Sequence, residues 1–115
     1  MNRIEFTQKI TMLLFEMIQE GEHPIIDYAL RSQIEQHRLW QIGRDKDGNK
    51  IGQTVTNCDG YKIISGHQSG KAIDIYFIED GKLAPPKKGF AYWHGEWTKM
   101  GGNRDISWDE DHWEA

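Results

Sequence analysis

The sequence predicts an α+β fold in which two helices pack on a small, mainly antiparallel sheet. Three observations carry this expectation. Residues 4–20 place Ile4, Leu13, Leu14, Met17 and Ile18 along much of one stripe at the 3.6-residue period of an amphipathic helix. Ser32 and Glu35 form the S-x-x-E pattern that opens a second helix. Residues 71–78 read as a strand on which Ile73 and Ile75 point to one face and Asp74 to the other. A chain of 115 residues is expected to fold as one domain, 1–115, around one core.

In order along the chain, the first helix ends at Gly21, a residue suited to the left-handed turn after a helix. Pro24 then begins an extended piece, residues 25–30. The second helix carries Ile34, Leu39 and Trp40 and closes at Gly43. Residues 44–53 are polar and turn-rich. They half-match a calcium-binding loop at Asp45, Asp47 and Gly48, but lack its closing Glu, so a flexible loop is expected. Residues 80–89, with Pro85-Pro86, read as a surface loop.

Composition narrows the function classes. Net charge is −4 and the isoelectric point about 5.7, with no basic stripe, so nucleic acid is not an expected partner. The single cysteine, Cys58, excludes an internal disulfide and sits in a turn without a second thiol, which makes it a bystander. The longest apolar run near the start, residues 12–15, is too short for a secretory signal, and nothing approaches a membrane span.

Chemistry concentrates in two segments. Ser65-Gly66-His67-Gln68-Ser69-Gly70-Lys71-Ala72-Ile73-Asp74 is answered by Asp109-Glu110-Asp111-His112. His67, Asp74 and His112 supply three groups that suit Zn2+, and three protein ligands leave the open position of a catalytic zinc. Asp109, three residues before His112, is a spare carboxylate that can take a proton from water, with Glu110 and Asp111 as competing candidates. An ordinary acidic tail is the alternative; Trp108 and Trp113, which bracket the run, argue for a packed segment. Arg31 is the candidate for stabilising an oxyanion, because a guanidinium is permanently charged and donates paired hydrogen bonds. Ser65 and Trp93 stand as substrate-binding candidates, with an ordinary loop serine and a core or groove-wall tryptophan as the alternatives. His94 is a weaker candidate for the same cleft.

These segments also resemble a family. S-x-H-x-x-G-x-A-x-D followed by D-x-x-H is similar to the zinc D-Ala-D-Ala carboxypeptidases and L-alanyl-D-glutamate endopeptidases that cut peptidoglycan stem peptides. Arg31-Ser32-Gln33-Ile34-Glu35-Gln36 resembles the family's R-S-x-x-E-Q segment, and the resemblance runs from about Tyr28 to Glu114. Ala29 and Leu30 replace the family's usual Gly and aromatic before the Arg. Met100 stands where Trp is usual in a W-G-G segment, here Met100-Gly101-Gly102.

The resemblance implies a hedgehog/DD-peptidase-like fold and a zinc metallopeptidase of the phage endolysin kind. It further implies zinc on His67, Asp74 and His112, Asp109 as general base, and Arg31 across the cleft. The substrate would be the peptidoglycan stem peptide, cut between L-Ala and D-Glu. The alternatives are D-Ala-D-Ala carboxypeptidase and a zinc-stabilised module without catalysis. A monomer without membrane attachment is expected, made in the cytoplasm without a signal peptide and reaching the cell wall after release.

Overall fold

The structure, a computed structural model, describes residues 1–28, 30–103 and 109–115, without the Tyr28 side chain. Ala29 and Trp108, which entered the sequence reading, lie outside the described residues. The elements run α1 (Arg3–Gln19), β1 (Pro24–Tyr28), α2 (Gln33–Gln41), β2 (Ala72–Glu79), β3 (Lys82–Leu83), α3 (Phe90–Lys99) and β4 (His112–Glu114). The fold is α+β; the described residues form three helices and a four-stranded antiparallel sheet.

Both ends of α1 follow from local chemistry. The Asn2 side chain accepts the Glu5 amide at 2.8 Å and caps the N-terminus. At the other end Gly21 adopts φ +83°, which lets its amide bond Ile18 O and the Glu22 amide bond Met17 O. The buried face is Phe6, Ile10, Leu13 and Met17. This corrects the predicted stripe in part: Ile4 and Ile18 are exposed, because α1 carries apolar residues on both faces and the pattern alone does not choose between them.

β2 is the central strand. β1 pairs along one side of it, from Pro24 opposite Phe77 to Tyr28 opposite Asp74. β3 and β4 pair with it on the other side, β4 through Ala72↔Glu114, Ile73↔Trp113 and Asp74↔His112. Alternation along β2 sends Ile73, Ile75 and Phe77 into the core with the α1 face, Trp93 and Trp97 of α3, and Trp113 of β4. Asp74 therefore points away from the core.

The helix α3 is absent from the sequence-based expectation of two helices. It has a start that sequence rules do not reveal, since its N-cap is Gly89, which offers no side-chain cap. Residues 44–53 form a loop, with one isolated bridge across it. Asp45 Oδ1 accepts the amides of Asp47 and Asn49, and Arg44 bridges Lys50, so the loop closes on itself and uses the Asp45 carboxylate internally. Among the described residues, no helix is long and apolar enough to cross a membrane.

Candidate metal centre

The β2–β4 register places Asp74 and His112 directly opposite each other on neighbouring strands. His67 reaches them from the loop before β2. That loop is a tight turn, closed by Ser69 N to Ser65 O, Gly70 N to His67 O and Lys71 N to Gly66 O. Gly70 takes φ +74°, and a Cβ there would meet the Arg3 side chain. The result is a buried His67 whose ring turns toward the strand pair.

Three atoms converge. His67 Nε2 and His112 Nδ1 lie 3.1 Å apart, and each lies 3.2 Å from Asp74 Oδ1. A tetrahedral zinc with bonds of about 2.0–2.1 Å spaces its ligand atoms by about 3.3–3.4 Å, so this triangle is near the face of such a tetrahedron. The donor set, two imidazoles and one carboxylate, also suits the ion. These three residues are the one group of His, Cys, Asp or Glu among the described residues that stands close enough to hold a metal.

Without a metal, the electrostatics are those of a carboxylate paired with imidazoles. Burial would raise the Asp74 carboxyl, but hydrogen bonds and charge from His112 and His67 hold it well below the usual carboxylate range. Burial would lower the His112 imidazole, yet Asp74 and Glu114 raise it to about 9. Glu114 itself is held low by its contact with His112, against burial.

The triad sits in a cleft of about 650 Å3 whose lining also includes Arg31, Ser65, Asp109 and Glu114. Asp109 opens the turn that ends at His112, with the His112 amide bonding Asp109 O at 3.1 Å. The competing carboxylates Glu110 and Asp111 line a different groove, with Tyr76, Phe77 and Phe90. The structure thus brings Asp109, and neither of its rivals, into the cleft with the triad.

Arg31 is tied to the same centre through the backbone, its amide donating to His67 O at 3.0 Å. Its side chain is set by Gln36, the fully buried last residue of the 31–36 segment. Gln36 Oε1 accepts Arg31 Nη1 at 2.9 Å and Ser65 Oγ at 2.8 Å, while Nε2 donates to Cys58 O at 2.8 Å and contacts Thr56 Oγ1 at 3.4 Å. One amide therefore joins α2, the 56–58 segment and the loop of His67. Ser65 Oγ also accepts the Gln68 amide, which ties the turn of His67 to α2 and leaves a second lone pair on a hydroxyl that lines the cleft.

Trp93 is a correction. It is buried in the core on the other face of the sheet, where its indole donates to Glu22 Oε2 at 2.7 Å, and it does not line the cleft. Its spacing in α3 turns it toward β2 rather than toward substrate. His94 stacks on Trp113 at 3.8 Å and shares a 2.8 Å hydrogen bond with Glu110 O, so it too lies away from the cleft. Glu114 was missed as well, hidden in an acidic run; the two-residue strand period from His112 is the signal that places it on the same face.

No protein-family model matches the chain, and no curated protein does either.

Proposed function

We propose that the chain is a zinc metallopeptidase that hydrolyses an amide bond of peptidoglycan stem peptides, with the L-Ala–D-Glu bond as first choice. One observation carries the reading: a three-ligand cluster, a spare carboxylate and an arginine share one open cleft. The resemblance of the Ser65–Asp74 and Asp109–His112 segments supplies the substrate class, and the hedgehog/DD-peptidase fold is proposed on the same ground. His67, Asp74 and His112 would hold the ion. A zinc ion there would supply Lewis-acid polarisation of the scissile carbonyl and acidify the attacking water.

The chain's own residues do the rest. Asp109 accepts the proton of the attacking water and returns it to the leaving amine, so that the nucleophile is made and the amine departs neutral. Arg31, oriented by Gln36, donates to the oxygen on which negative charge develops or to a substrate carboxylate. Leu39, Val55 and Ile64 give the cleft an apolar wall against which the substrate can pack.

The test is incubation of the zinc-loaded protein with purified peptidoglycan, followed by end-group and mass analysis. New D-Glu amino termini are expected. Release of free D-alanine alone would assign the carboxypeptidase activity instead. Zinc binding with neither bond cut would leave a non-catalytic, zinc-stabilised module.

A further inference from the structure

We propose that Glu114 is the positioning residue of the metal centre, fixing the tautomer and orientation of His112 so that Nδ1 faces the ion. The inference rests on metal binding by the triad, as proposed above. A neutral imidazole carries one N–H, and a ligating nitrogen must present a lone pair. Nδ1 of His112 is the atom in the three-atom triangle, so the proton belongs on Nε2. Glu114 Oε1 lies 3.5 Å from that Nε2, on the side of the ring away from the triangle. An acceptor there favours the Nε2–H form and makes the ligating nitrogen a better donor.

The rest of Glu114 is built to stay in place. It stands two residues from His112 on β4, so both side chains leave the same face of the strand. Its carbonyl accepts the Trp97 indole at 2.7 Å and the Asn103 amide at 2.9 Å, and its backbone pairs with Ala72. The carboxylate lies under Gly66, where any Cβ would collide with it. The same Cβ would meet Ala72 Cβ at 2.9 Å, so the backbone at Gly66 runs close to both β2 and this carboxylate. Glu114 does not join the triad as a fourth ligand, because its oxygens fall outside the group of mutually close donor atoms.

The experiment compares wild type, Glu114→Ala and Glu114→Gln by zinc titration against a chromophoric chelator and by 15N NMR of the His112 ring. Glu114→Ala is expected to weaken zinc about 10- to 100-fold. It should also loosen the Nε2–H signal, seen as faster exchange. Glu114→Gln keeps an oxygen acceptor and should restore both to within a few-fold of wild type. Zinc binding and ring signal unchanged in Glu114→Ala would overturn the proposal, as would a Gln variant as weak as the Ala variant. Should Glu114→Ala fail to fold, the zinc-loaded wild type decides, since a His112 proton on Nδ1 would overturn it. Wild type that takes up no zinc would instead sink the metal reading itself, and this inference with it.

Discussion

Gln36 is the most informative single residue to perturb. Replacing it with Leu keeps the side-chain volume close to constant, so little cavity forms and the change is mainly the loss of both polar atoms. Three good hydrogen bonds go: one from the charged Arg31, one from Ser65 and one to Cys58 O; the 3.4 Å contact with Thr56 adds little. A bond to a charged partner contributes about 1.5–3 kcal/mol and each neutral one about 1 kcal/mol, so the loss should be about 3–5 kcal/mol. That is a large part of the roughly 5–15 kcal/mol available to a domain of this size. With a urea slope of about 1–3 kcal/mol/M, the unfolding midpoint should fall by 1 M or more, read by circular dichroism. Gln36→Glu sharpens the test. It keeps an acceptor for Arg31 and Ser65 but sets a carboxylate against the Cys58 carbonyl, so its loss should be smaller. A Gln36→Leu protein destabilised by less than about 1 kcal/mol would refute the claim that this amide joins the three segments.

Other expectations follow from the same geometry. Asp109→Ala should retain zinc while losing about 10²- to 10⁴-fold in turnover, the usual contribution of a general base; near-normal peptidoglycan cleavage would remove Asp109 from that role. Arg31→Lys keeps the charge but loses the planar fork, so cleavage should drop clearly while zinc content stays at wild-type level. For His112, burial lowers the pKa but Asp74 and Glu114 lift it from the ordinary 6.5 to about 9. Because the folded value is raised, its contribution to the metal-free fold is complete below pH 6.5 and disappears as pH rises through about 9. A metal needs the neutral ring, so zinc binding at pH 7 should release close to one proton from it. Calorimetry in two buffers of different protonation enthalpy would measure this, and no release would contradict it.

How much of this was legible in the sequence differs from residue to residue. The triad was legible because its chemistry is declared by residue type: two histidines and an aspartate at spacings a turn and a strand pair bring together. The faces of β2 were legible for the same reason, since period-2 alternation allows Ile73 and Ile75 only one side if Asp74 takes the other. Burial of aromatic residues was not. Trp93 and Trp97 sit in a helix with Gly95 at its middle and no side-chain cap at its start, so no local signal told core tryptophan from cleft tryptophan. The burial of Gln36, a residue the 31–36 segment already contained, was hidden for a further reason. Its importance comes from partners up to 29 positions away, and a glutamine on a short helix reads as solvent-facing until the 56–65 segment folds over it.

The pairing of β4 with β2 has one more consequence. A slip of one residue in that pairing would turn His112 and Glu114 inward and send Trp113 out to the cleft. Such a chain would bury two ionisable groups among Leu13, Ile75 and Trp97, expose its indole, and have no centre for an ion. The same slip is thus penalised twice, by the hydrophobic interior and by the ligand set on its far side. Metal uptake would in this sense be a proofreading step, because only molecules with β4 in the correct register can complete the triangle.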